Sequence, residues 1–254
     1  MEIDKDNLNF RKALAKEYST LKGVLEKYSI DSRPIEKAIS ELKDEKFLPS
    51  AVSCNSAPLN WGYTIKNMIF EEATTSVQYP KNVKRLKITF GMTCVSVFNS
   101  NSDQILDPFK HLEFNIVAEG WNKNTKRHVV SFHLDRHIDE GNTPNEAHPI
   151  YHFQFGGRKL KESEEQNFGS SLILDSPRMM HYPMDLIMGI DFLTSNFAPD
   201  KWGKLRKDRD FKILLLNSQN RTMRPYIHSL ARHFKLNSAG TMLFDAKVIC
   251  PQLI

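Results

Sequence analysis

Cysteine is scarce in this chain and badly spaced for metal. The 254 residues hold three, at Cys54, Cys94 and Cys250. An odd count without a Cys-x-x-Cys pair argues against a thiolate zinc site and for a reducing compartment. No apolar run approaches the length needed to span a bilayer, and the opening residues, Met1-Glu2-Ile3-Asp4-Lys5-Asp6, are charged and carry no apolar signal region. Internal repeats and low-complexity segments are missing too, which excludes solenoids and linker-like chains. Glycine forms none of the patterns that cradle phosphates or dinucleotides, and no Gly-x-Ser-x-Gly elbow occurs. What remains is a soluble, cytoplasmic protein of ordinary balance, 40% hydrophobic and 26% charged. The net charge of +5, with a pI near 9.0, permits acidic partners without demanding them. No membrane association and no cofactor are expected.

Apolar periodicity divides the chain. Phe10, Leu14, Tyr18, Leu21, Leu25 and Tyr28 step by four and three, predicting one helix; Ile35, Ala38, Ile39 and Leu42 continue as a second after Asp31-Ser32-Arg33-Pro34. Ser32 is its candidate N-cap, and proline suits a first turn. Residues 1–49 therefore read as a helical hairpin, either an oligomerisation arm or part of the core. Residues 58–254 read as an α+β domain. The stretch around Ser53–Asn60 suggests a linker, and Asn67–Glu72 suits helix or strand equally.

Alternation then takes over. Leu86, Ile88, Phe90, Met92 and Cys94 oppose Lys87, Thr89 and Thr93; Leu112, Phe114, Ile116 and Ala118 oppose His111, Glu113, Asn115 and Glu119. Two further runs, Val129–His137 and His148–Phe155, complete an antiparallel meander with one apolar face. Helices follow: one beginning at Pro183, one over Phe211–Leu216 and one opened by Pro225. The tail, Met242–Cys250, alternates and suggests a returning strand. The expected architecture is α+β, an antiparallel meander with helices on its apolar face and the hairpin added at the N-terminus.

The last two strand runs carry the chemistry. Ser131, His133, Asp135 and His137 share one parity, as do His148, His152 and Gln154, against Phe132, Leu134, Tyr151 and Phe153. Paired as a hairpin, they put four imidazoles and a carboxylate on one patch. Such a patch suits acid–base or phosphoryl chemistry, because histidine titrates near neutrality. It also suits a transition metal, with Asp135 completing a ligand set, but His148-x-x-x-His152 lacks the helical glutamate of zinc hydrolases. A plain solvated sheet face is the third alternative. The aromatic side is expected to be the buried one.

Beyond these runs, Asp175-Ser176-Pro177-Arg178 and His181-Tyr182-Pro183-Met184-Asp185 form a proline-stiffened segment before a helix start, where amides and an arginine favour an anion. Its alternative is a structural connection in which Arg178 pairs with an acid such as Asp185. Arg158, after Gly156-Gly157, lies where a ligand could approach the backbone, or simply ends a turn. Lys201, Lys204, Arg206, Lys207 and Arg209, around Trp202, suit either a nucleic-acid backbone or a solvated loop.

Asp135-Arg136 at a strand end, His148-Pro149-x-x-His152, and Pro177-Arg178 ahead of a helix resemble the layout of small bacterial proteins of toxin–antitoxin and phage-defence loci, TumE-like toxins in particular. The resemblance spans residues 128–197 and leaves both helical ends unmatched. It implies a bacterial host and a defence or toxin role, and no mechanism.

These readings converge on an effector or accessory protein that binds a nucleic acid or nucleotide at the histidine face. His133 or His152 is the candidate general base, Asp135 orients an imidazole and Arg178 neutralises an oxyanion. His137, His148, Arg158 and His181 are candidate binding residues, and no metal is assigned. Arg178 and His181 are both expected to approach the histidine face, and the composite site requires both. Whether the chain is an enzyme is left open. The alternative is a non-catalytic interaction module that docks a protein partner, or a second copy, through the N-terminal helices.

Overall fold

Two-residue alternation produces long strands wherever β-branched and aromatic residues fill one parity. The computed structural model describes residues 4–49, 58–74, 81–101, 104–122, 127–136, 148–156, 178–234, 241–242 and 245–250. Strands β1 (Asn60–Ala73), β2 (Lys84–Val97), β3 (Gln104–Ile105), β4 (His111–Trp121), β5 (Arg127–Arg136), β6 (Tyr151–Phe155), β7 (Met179–Met180) and β8 (Thr241–Met242) occur among them. Six form one antiparallel sheet in the order β1-β2-β4-β5-β6-β7, and β3 pairs with β8 in parallel. The α+β meander is thus present, with β1 added at one edge. Asn67–Glu72, ambiguous by periodicity, belongs to that edge strand. The reason is a bulge: the register slips between Ile65 and Met68, where Asn67 adopts a positive φ of 53°. An extra residue there breaks the alternation that marks a strand.

Helix α3 (Leu186–Phe197) lies on the sheet's apolar face. Gly189 makes the approach possible, since a Cβ there would stand 2.5 Å from the Phe114 ring. Phe90 and Phe114 meet beneath it with centroids 4.7 Å apart. Both are fully buried, each ring contributing about 2–3 kcal/mol by leaving water. The helix begins later than Pro183 suggests, because Asp185 is its N-cap and accepts from Ile187 N and Met188 N. Helices α4 (Pro199–Leu205), α5 (Arg209–Arg221) and α6 (Met223–His233) follow. The tail does not alternate as expected: after the two residues of β8 it forms a short helix, α7 (Ala246–Ile249). Among the described residues no helix is long and apolar enough to cross a membrane.

Helices α1 (Lys5–Lys27) and α2 (Arg33–Lys43) form the expected pair but not a projecting arm. Leu14, Tyr18, Leu21, Leu25, Ile35 and Leu42 are buried in the same apolar cluster as the sheet. Tyr18 packs edge-on against Tyr63 of β1 at 5.1 Å. Helix α2 covers the outer edge of β1, where the Glu41 carboxylate accepts from Thr64 N at 2.7 Å and from the Thr64 hydroxyl. That edge would otherwise expose unpaired amides. Buried Arg11 donates to the carbonyls of Glu41 and Leu42, each at 3.0 Å, and of Asp44, holding the C-terminal end of α2. Lys27 and Tyr28 both donate to Asp208, the N-cap of α5. The stripe read as a seam for a partner is therefore filled by the chain's own sheet and helices.

Candidate functional site

The strand register decides what meets on the polar face. In the β5–β6 ladder Asp135 pairs with His152 and His133 with Gln154, while Glu113 of β4 lies opposite Asp135 on the other side. Directly opposed residues point to one face, so His133, Asp135, His152, Gln154 and Glu113 converge. His148, just before β6, and Arg178, just before β7, join them, and together they line a cleft of about 310 Å³. Leu134 and Tyr151 face the other way and are fully buried.

Within the cleft the contacts are short. His133 Nε2 lies 3.2 Å from Gln154 Oε1 and 3.5 Å from Asp135 Oδ2. The His148 and His152 rings stand 4.5 Å apart, and those of His133 and His152 are 6.2 Å apart. His152 Nδ1 donates to the Pro149 carbonyl at 3.3 Å, which leaves Nε2 as the lone-pair nitrogen. Burial pushes the His152 pKa down to about 4, helped by the neighbouring His148, His133 and Arg178. A value that low favours the uncharged imidazole at neutral pH and weakens His152 as a proton acceptor.

The faces are less simple than alternation implies. His152 is only 5% exposed, whereas Phe155 on the aromatic parity is 40% exposed. The expectation that the aromatic side is buried and the imidazole side open holds at Leu134 and Tyr151 and fails at His152 and Phe155. Met179 and Met180 of β7 are likewise exposed, at 58% and 45%.

His181 does not join the cleft, so the composite site expected from sequence does not form. Its ring packs against Phe153 at 5.7 Å and Phe192 at 6.1 Å, on the helix-covered side. The cause is parity. Residues 178 and 181 are three apart along an extended segment and point to opposite faces, with Met180 aligned to His152 and Met179 to Phe153. Arg178 stays with the histidines. His137 and Arg158 lie outside the described residues.

Sequence reasoning passed over His111 and Glu113 as site residues. They line the cleft from β4, and their polar parity on a neighbouring strand was the available signal. His111 is buried, with neither ring nitrogen hydrogen-bonded among the described residues, and burial pushes its pKa down.

Other candidates have structural partners. Arg206 pairs with Asp191 at 3.0 Å, and Trp202 Nε1 donates to the same carboxylate at 2.9 Å, so the basic cluster's centre is tied to α3. A larger cavity of about 510 Å³ lies beside Phe10, Trp61, Phe98, Phe109 and α6. Two of its charged groups are paired: Arg221 bridges Asp185 at 3.1 Å and, outside the lining, Glu17 at 2.7 Å. Cys94 is buried, which pushes its thiol well up and makes it an inert core residue. No protein-family model, curated protein or solved structure matches the chain.

Proposed function

We propose that the chain binds a phosphate-bearing ligand, a nucleotide or nucleic acid, in the cleft between β4, β5 and β6, and acts as an effector or accessory protein of a bacterial defence or toxin system. One observation carries the binding half: Arg178 and three imidazoles, His133, His148 and His152, line a single concave surface. The Arg178 guanidinium matches phosphate oxygens in charge and hydrogen-bond direction, and an imidazole with a free N–H donates to them as well. The net charge of +5 favours such a ligand at longer range. The defence role rests on the resemblance of Asp135-Arg136, His148-Pro149-x-x-His152 and Pro177-Arg178 to small defence-locus proteins. Labelled RNA, DNA and nucleotides incubated with the wild-type protein and a His133→Ala/His152→Ala double variant test the reading. Binding or turnover by wild type that the variant loses supports it; identical behaviour of the two overturns it.

A second reading, a non-catalytic protein-interaction module, is supported by one feature. Phe155, Met179 and Met180 form an exposed apolar edge at the end of the sheet, where β7 has a free side among the described residues. Docking in this reading uses that edge, since the N-terminal helices are buried against the core. Light scattering of wild type beside a Met179→Lys/Met180→Lys variant separates the two, because only an interaction edge changes assembly.

A further inference from the structure

We infer that His133, Asp135 and His152 form a three-ligand site for a divalent transition-metal ion. The inference goes beyond the phosphate reading and does not depend on it, since metal uptake needs no phosphate ligand.

Geometry is the main support. One ligand atom from each of the three side chains can be chosen so that all lie within 4.8 Å of one another, and His133 and Asp135 approach to 3.5 Å. Nitrogen and carboxylate donors sit roughly 2.0–2.2 Å from such an ion, so two donors sharing it are about 3.0–3.5 Å apart. One pair already has that spacing. The widest separation closes by a little over about 1 Å, which side-chain torsions supply.

The three side chains also stand at the corners of a triangle on the sheet. His133 and Asp135 are two residues apart on β5, and His152 lies directly across from Asp135 on β6. An ion held by all three sits above the strands, with its remaining coordination positions directed into the cleft that Arg178 and His148 line. Two histidines and one carboxylate on one side of an ion, with open positions opposite, hold iron(II) or, in tetrahedral form, zinc. The anionic oxygens of a bound ligand would occupy those positions.

The His152 ring is already oriented for this role. His152 donates Nδ1–H to the Pro149 carbonyl, which orients the ring and leaves Nε2 as the donor atom, as backbone carbonyls do for metal-bound histidines. In the metal-free protein Gln154 Oε1 accepts from His133 Nε2–H, so an ion taken up at that nitrogen displaces its proton and this hydrogen bond. The helical glutamate motif whose absence counted against metal belongs to ligands spaced along a helix. These ligands sit on strands, where a spacing of two places them on one face.

The test uses the full chain after chelator treatment and dialysis. Co²⁺ is titrated with visible absorption as the readout, and Zn²⁺ and Mn²⁺ by calorimetry. Wild type is expected to bind one equivalent, with ligand-field bands for Co²⁺. Asp135→Asn, His133→Gln and His152→Ala are each expected to weaken binding more than about 100-fold, beyond what loss of an outer contact alone costs. His233→Ala, at the end of α6, is expected to bind as wild type. Circular dichroism establishes folding for each variant, and if His152→Ala fails to fold the two conservative variants carry the comparison. Absence of stoichiometric uptake by wild type, or wild-type affinity in the folded ligand variants, overturns the site. Metal uptake without nucleotide binding leaves the site standing and removes the phosphate reading; nucleotide binding without metal uptake does the reverse.

Discussion

Asp135 and His152 are direct partners across the β5–β6 ladder, and that one pairing sets the composition of the cleft. A slip of one residue would put Tyr151 or Phe153 opposite Asp135 and send His152 into the apolar layer. The register is held from the other face, where Leu134 pairs with Phe153, and the Phe132 and Phe153 rings stack at 5.9 Å. The polar site therefore depends on an apolar fit on the far side of the same strands.

Arg178 is the cation whose loss should weaken an anionic ligand most directly. Arg178→Ala is expected to reduce the affinity for a nucleotide or oligonucleotide about 10-fold or more, the scale of one charge-assisted contact. Arg178→Lys should recover only part of this, because an ammonium lacks the guanidinium's two-pronged geometry. Fluorescence anisotropy at several salt concentrations checks it, and the wild-type advantage should shrink as salt rises. Equal affinities across the three proteins would remove Arg178 from the site.

Much of this arrangement was legible in two-residue alternation. The runs from Leu86, Leu112, Val129 and His148 yield the four central strands, and parity alone groups His133, Asp135 and His152. Parity also holds the reason His181 fails, since an odd offset from Arg178 puts it on the opposite face; reading the segment as stiff hid that. Burial was harder to read. The stripe of α1 looks the same whether it awaits a partner or meets its own sheet, and long-range contacts such as that of Tyr18 with Tyr63 distinguish the two. The seclusion of His152 depends on residues distant in sequence, which local pattern does not encode.

Two glycines on helices should respond to alanine with opposite signs. Gly23 in α1 is exposed, with nothing within 4 Å of an added Cβ, so Gly23→Ala should stabilise by up to about 1 kcal/mol through helix propensity. Gly189 gains the same propensity, but its Cβ would lie 2.5 Å from the buried Phe114 ring. Overpacking of that kind costs about 1–3 kcal/mol, so the packing term outweighs the gain and Gly189→Ala should destabilise. Urea denaturation of both variants measures the signs. A stabilised Gly189→Ala would mean that α3 sits farther from the sheet.

Arg11 should prove a stability residue of the first helix. Its guanidinium serves three carbonyls at the end of α2 and is only 1% exposed. Arg11→Met keeps most of the stem but leaves those acceptors without their charged donor. The expected cost is about 2–4 kcal/mol, seen as a lower Tm and urea midpoint. A loss below about 0.5 kcal/mol, the range of an ordinary surface substitution, would show that water replaces the guanidinium at the end of α2.

Asp208 joins the helical hairpin to α5 and should make that junction sensitive to acid. The hydrogen bond from Lys27, amides at the start of α5 and the Tyr28 hydroxyl hold its carboxyl at about 2, below the ordinary value of 3.8. A folded-state value below the unfolded one means that the charged form favours the native state. Its contribution is complete above about pH 5 and is lost as pH falls through the range from about 4 to 2. The full depression would correspond to roughly 2 kcal/mol, but Lys27 is exposed and screened, so about 1 kcal/mol is the expected share. Asp208→Asn retains an N-cap acceptor and loses only the charge. It should be less stable than wild type by about that amount at pH 7, with the gap closing toward pH 2. Chemical denaturation of both proteins across this range measures it, and a gap that is constant with pH would assign the effect to the cap hydrogen bonds rather than to the Lys27 pairing.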